Sequence, residues 1–576
     1  MIINQLNYNN LTTTYIFTKY IIVFLFIISN ITLYAQQPPV QEVVIEKEYE
    51  PVIRESNRIE LLPTFQDTVK INLQFDYDIK SHVIHGQFTP KPIQPVKLTG
   101  EPLVPLQNFY GLFGVGSNYP STIAQIRIGS LRNDNYQWFA GIDNNNSFGK
   151  MKDVNKKEVY AGYSNTELIA RGKRFLKNAT LEGSALYNYR QNYYYGYDTI
   201  MIKLDSILTS KEDIGKQCVS KFNSQVSIYS FDTNKTALRY NIGFDFNHLQ
   251  AQPKDLETKL NSKVLEDNFK LNVYVDKYFN AQFLGVQSNI KYFKNENLID
   301  SMNNFFVDFN PWVGLFGNKW RIQAGINTTF DNEKDTLLMY PNVKLHYNIE
   351  SYFLVPYIEV TGNYQINSFE KIIEENYFIL PNLAVHPTNN KFIFSGGMRG
   401  MASSRLGFNI NATYKSVDNQ YFYVIDATDS LGRFFNVEYD NMNVFTIGGE
   451  LSWKQSDQLN IIIRGSYSDY SMTSLEYPWH TPKAAIDLFA RYRFFKELTV
   501  STNIFYRGER FIKVRVSNEA KTLDPIIDMN WMGEYKIDKN FTCFLKMNNI
   551  LFRKQYIWEN YQLHSFNVKV GVIIQF

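Results

Sequence analysis

Along most of the chain apolar residues fall at every second position, and polar turns break the alternation at intervals. A period of two puts alternate side chains on opposite faces of a strand. The last segment shows it best: Phe566, Val568, Val570, Val572, Ile574 and Phe576 share one face, with Asn567, Lys569, Gly571 and Gln575 on the other. Upstream, Leu238, Tyr240, Ile242, Phe244 and Phe246 oppose Arg239, Asn241, Gly243, Asp245 and Asn247. Leu459, Ile461, Ile463 and Tyr467 oppose Asn460, Arg464, Ser466 and Ser468. Leu498, Val500, Ile504 and Tyr506 likewise oppose Ser501, Asn503 and Arg507. From Phe109 to Phe576 the pattern predicts about 22 strands, within a range of roughly 18 to 22.

Strand length selects the architecture. A soluble sandwich uses strands of about five or six residues, whereas a tilted strand needs about nine to eleven to cross hydrocarbon. Many alternations here reach the longer figure, and their polar faces carry Arg, Lys, Asp and Asn in mid-strand, as a water-filled lumen requires. Closing the sheet pairs every backbone group, which hydrocarbon demands. The expected fold is therefore all-β, a large antiparallel transmembrane β-barrel over residues 107–576. Short turns at Asp232–Lys235, Gly317–Lys319 and Lys539–Asn540 belong to one rim, and longer connections near 194–217, 368–390, 422–437 and 508–522 to the other. Arg239, Asp245, Arg464 and Lys569 are the expected lumen residues that set selectivity.

Composition fits this picture. The 40 Tyr and 44 Phe suit strands and interfacial girdles. A mean hydropathy of -0.30 argues against a bundle of membrane helices but not against alternating strands. The net charge of +3 lacks the basic excess of a nucleic-acid-binding surface. Cys218 and Cys543 lie far apart, and Cys543 alternates with Phe541, Leu545 and Met547 as a small apolar side chain.

The N-terminal part differs. The apolar run Tyr20–Ile28 follows Lys19 and precedes Leu33-Tyr34-Ala35, which resembles a cleavage site before Gln36. It is too short to span a bilayer and fits a secretory signal peptide at 1–35. Residues 36–106 are proline-rich and lack core periodicity, so they are expected to form an extended periplasmic leader.

Candidate chemistry is sparse. The seven histidines form no His-x-x-x-His pair, and neither Gly-x-Ser-x-Gly nor a phosphate-binding glycine loop occurs. The expectation is a non-enzyme without a cofactor. Gln191–Tyr197 holds four tyrosines that could stack on a ligand but more readily form an aromatic belt. Asp143–Asn146 reads as a solvated turn rather than a cation site.

Phe544–Tyr556, with Asn548-Asn549-Ile550-Leu551 before Arg553-Lys554-Gln555-Tyr556, and the terminal Phe576 resemble the end of TonB-dependent receptor barrels. Glu48–Ile59 and Pro95–Leu103 resemble leaders of plugless, receptor-like barrels of Bacteroidetes-type bacteria. The resemblance implies an outer-membrane location, contact with outer-membrane lipid, and recognition of the C-terminal strand by the barrel-assembly machinery. Gln41–Ile45, with Val43, Val44 and Ile45, resembles a TonB box, the extended stretch that adds a strand to TonB; an ordinary linker would read the same way. The chain departs from the family in one respect, since about 70 proline-rich residues cannot supply a folded plug.

Three functions remain open at this stage. The barrel could be a channel or transporter, a structural or assembly component whose leader docks a periplasmic partner, or a surface binder acting through its loops. A plugless barrel of about 22 strands would leak unless loops, leader or a partner block it.

Overall fold

A computed structural model describes residues 107–576, apart from 117–119, 153–157, 198–213, 232–236, 255–262, 280–281, 297–301, 350–352, 382, 430 and 516. The expected signal peptide (1–35), the leader (36–106), Val43, Val44 and Ile45 within it, and the turn Asp232–Lys235 lie outside the described residues.

The alternating segments become a 22-stranded antiparallel sheet in which each strand pairs with its neighbours in the chain. The sheet closes because the first strand, Phe109–Gly116, pairs on one side with Ser121–Gly129 and on the other with the last strand, Asn567–Gln575. Three small hairpins stand apart from it, at 150–160, 510–523 and 556–562. One helix occurs among the described residues, α1, Phe369–Glu375.

The faces fall as the alternation requires. Ile242, Phe244, Val570 and Val572 are 42%, 46%, 50% and 39% exposed on the outside of the barrel. The polar residues between them face inward. A broad apolar outer surface inverts the arrangement of a water-soluble domain and suits hydrocarbon. Exposed Trp138, Phe231, Phe279, Trp320, Trp453 and Phe576 gather near the rim of short turns, as an interfacial girdle does.

Both expected turn sites within the described residues hold. Gly317 N–H donates to Trp320 O at 2.9 Å, and Asp538 accepts from Asn540 and Phe541 N–H at 2.7 and 2.9 Å. The long connections, 366–387, 426–434, 508–525 and 549–566, all lie at the opposite rim. Phe109 and Phe576 exchange backbone hydrogen bonds at 3.2 and 3.1 Å, so both ends of the barrel segment sit at the short-turn rim.

One local reading is corrected. Asp143–Asn146 is not a turn but part of the strand Tyr136–Ser147. Its polar side chains bond sideways, Asp143 to Arg127 at 2.5 Å, Asn144 to Thr166 at 2.7 Å and Asn146 to Ser164 at 2.6 Å. Cross-strand pairing of this kind lets an amide-rich run stay in a sheet.

Candidate functional site: the lumen and its inward-folded cap

The inward faces form a polar wall whose charges are largely paired across strands. Arg239 pairs with Asp276 and lies 5.0 Å over the ring of Phe283. Arg464 pairs with Glu450 at 2.5 Å, Arg507 with Asp487 at 2.9 Å, and Lys291 with Asp308 at 2.6 Å. Asp245 accepts from Asn272 at 2.5 Å, and Lys569 donates to Asn145 at 3.1 Å. The four residues singled out from the sequence thus share the inner face, but the structure does not bring them together. Arg239 and Asp245 are on the seventh strand of the ring, Arg464 on the seventeenth and Lys569 on the last.

The loop 366–387 turns into the barrel. Ser368 caps α1, its Oγ accepting from Lys371 N–H at 3.1 Å, and Glu266 on the wall accepts from Phe369 N–H at 2.7 Å. Lys221 holds both Glu370 and Glu374, the latter at 2.6 Å. On the far side Tyr421 and Tyr423 donate to Glu375 at 2.7 and 2.8 Å, and Tyr423 also donates to Ile372 O at 3.1 Å. A seven-residue helix is too short to persist on its own, so these wall contacts hold it.

Around α1 lies an apolar core. Phe369, Ile372 and Ile373 pack with Val219, Leu249 and Val264 of the wall, and with Tyr194, Phe378, Phe434, Phe435 and Tyr561. Phe378 stacks on Tyr561 at 3.5 Å, and the Phe378–Leu380 backbone bonds to Phe435 at 2.9 and 3.0 Å. Tyr561 donates to Arg433 O at 2.6 Å and Tyr195 to Gln562 O at 2.9 Å. Arg510 donates to Ile557 O and Tyr556 O at 2.5 and 2.6 Å, tying in the 508–525 loop. The contributing strands and loops are spread around the ring, from Val219 and Leu249 on its sixth and seventh strands to Tyr423 on the fifteenth and Tyr561 before the last. The result is a cap across the lumen at the long-loop end.

The tyrosine run at 191–197 is corrected accordingly. Tyr194 is fully buried in the cap core, and Tyr193 and Tyr197 are buried beside it, so these rings are not a membrane belt. The chain after the strand ends folds inward, where burial of aromatic area outweighs an interfacial position.

Sequence reasoning placed the loop but missed the cap. A signal was present: Ser368 followed by apolar residues at 369, 372 and 373, with Glu370 in the first turn, is a capped amphipathic helix.

The cap also carries buried titratable groups. His480 is buried against Phe435 and Trp558, and its pKa is lowered to about 3 by burial and then by the Arg510 charge. Burial likewise lowers Arg510 to about 10. Among the described residues no group of three or more His, Cys, Asp or Glu could hold a metal ion.

No family model and no curated protein matches this sequence. Structures do match. The barrel is similar to the siderophore receptor PirA from Acinetobacter baumannii, with a TM-score of 0.62 and 10% identity over 81% of this chain and 80% of that one. It is similar to the pyoverdine outer membrane receptor FpvA from Pseudomonas aeruginosa, with a TM-score of 0.60 and 11% identity over 82% and 79%. It is also similar to the ferric enterobactin receptor PfeA, with a TM-score of 0.61 and 9% identity over 82% of each chain. The chain has the fold of the outer-membrane receptor barrels.

At such identities the likeness is one of fold. Within that fold, this chain carries the cap. It is assembled from loops that emerge between barrel strands and bend back into the lumen.

Proposed function

We propose that the protein is an outer-membrane transporter of the TonB-dependent receptor type whose lumen is closed at the cell surface by its own loops. The observation that carries this reading is the apolar cap centred on α1, which stands across a polar-walled lumen. In this arrangement the long-loop rim faces outward, the aromatic girdle sits at the periplasmic interface, and lipid covers the apolar band. Phe109 begins the barrel at the short-turn rim, and Val43, Val44 and Ile45 earlier in the chain would offer TonB a strand. Arg239, Asp245, Arg464 and Lys569 would tune solute passage once the cap moves. The barrel-assembly machinery would read the last strand and Phe576.

A second reading keeps the barrel permanently closed as a structural or assembly component whose leader docks a periplasmic partner. The way the cap interlocks loops from several sectors of the ring favours it. Planar-bilayer conductance tests the transport reading. The full chain is expected to be silent, and so is a variant lacking residues 36–106. Replacing 367–386 by a short glycine-rich turn is expected to give steady conductance. A correctly folded but silent cap-replaced barrel would remove the transport reading and leave the structural one.

A further inference from the structure

Just inside the long-loop rim, at the seam where first and last strands meet, lies a cavity of about 210 Å³. Lys569, Ser121, Ser147, Tyr163, Asn567 and His564 line it, and no carboxylate among the described residues does. The seam places them together. Gly116 pairs in register with Ser121 on one side and Lys569 on the other, and a Cβ at Gly116 would overlap Ser121 Oγ. The glycine therefore leaves room for the serine and the lysine stem to approach.

The polar groups in this cavity are deeply buried. Lys569 is 7% exposed, and Ser121 and Ser147 are each 4% exposed. Ser121 Oγ has no hydrogen-bond partner among the described residues. The ammonium of Lys569 donates to a neutral amide, Asn145 Oδ1 at 3.1 Å, and no carboxylate of the described residues pairs with it. Lys546 stands directly opposite Lys569 on the adjacent strand, on the same inward face. Arg239, Arg464 and Lys291 on the wall, by contrast, each have a carboxylate partner.

This is a costly arrangement for a purely structural site. A buried charge without a counter-charge is unfavourable, and like charges directly opposite on paired strands add to the cost. Converging N–H and O–H donors with no competing carboxylate complement an oxyanion, which would neutralise the lysine and occupy the idle hydroxyl. The positive field reaches the loop above. His564 has its pKa lowered to about 4, by burial first and then by Lys569. The volume suits a small anion with a few waters.

We propose that this seam pocket binds a small oxyanion, a carboxylate or phosphate species, through Lys569, Ser121 and Ser147. The inference concerns binding alone and does not depend on the transport reading. It is tested by isothermal titration of the full chain in zwitterionic detergent at low ionic strength, with inorganic phosphate and acetate as separate probes. Saturable one-site binding of at least one probe is expected. Lys569→Met and Ser121→Ala should each weaken it tenfold or more, while Lys569→Arg stays within about threefold. Arg507→Met, which removes a paired wall cation elsewhere, should leave it unchanged. Folding of each variant is checked by its heat-dependent gel mobility, and Ser121→Ala and Lys569→Arg carry the test if Lys569→Met does not fold. The proposal is overturned if the wild type shows no saturable binding, if folded Lys569→Met binds as well as wild type, or if Arg507→Met weakens binding equally.

Discussion

His480 shows how one side chain can couple the cap to its surroundings. Its backbone is left-handed, at φ 58°, and its ring is buried between Phe435 and Trp558 with neither nitrogen hydrogen-bonded. A free histidine takes up a proton near pH 6.5 (about the model-peptide value), whereas this one does so only at about 3. Between those values the opened loop holds a proton that the closed one does not. Closure is therefore fully favoured above about pH 6.5 and weakens as pH falls towards 3. At pH 4.5 the loss from this residue is at most about 2–3 kcal/mol. Limited proteolysis of the 473–483 loop should accelerate between pH 7.5 and 4.5, and His480→Asn should flatten most of that slope. Asparagine tolerates the left-handed backbone and does not titrate. An equal slope in the variant would assign the effect to other groups, His564 first among them.

At the scale of elements, the strands were legible in the sequence and the cap was not, for a physical reason. A strand between lipid and water must alternate, so Ile242 and Phe244 against Arg239 and Asp245 announce both faces without any knowledge of their neighbours. The cap obeys no such rule. Phe378, Phe435 and Tyr561 come from three segments distant in sequence, and only their meeting in space gives them a core. The tyrosines at 193–197 therefore looked like a belt, because sequence cannot say whether a loop turns outward or in. Of the four lumen residues, the inner face was legible but their partners and their separation around the ring were not. α1 is the element on which this spatial assembly turns, and Lys221 is its main electrostatic anchor, with Glu370 and Glu374 gathered on one ammonium. Lys221→Met keeps most of the apolar stem and removes both pairs. It should loosen the helix by about 1.5–3 kcal/mol, the range for hydrogen bonds to charged groups. Faster amide exchange over 369–375, with exchange in the barrel strands unchanged, is the expected result. Uniform loss across the barrel would mean that Lys221 supports the wall rather than the cap.

At the scale of the whole molecule, closure of the ring depends on the seam between its first and last strands, and Phe576 sits at the end of it. Its backbone bonds to Phe109, and its ring lies 5.9 Å from Phe109 and 6.3 Å from Phe541 while remaining 54% exposed. Phe576→Ala keeps the backbone bonds and forfeits two aromatic contacts, each worth about 0.5–1.5 kcal/mol. Refolded in detergent or lipid, the variant should therefore lose about 1–3 kcal/mol from these ring contacts in urea unfolding. A closed barrel has no free edge to fray, so that loss alone leaves it folded. If the assembly machinery reads this ring before closure, the folded fraction in isolated outer membranes should fall far more than the equilibrium loss accounts for. A defect in cells no larger than the one in vitro would reduce Phe576 to a seam contact, and recognition of the last strand would then have to rest on its alternating face, Val568 to Ile574.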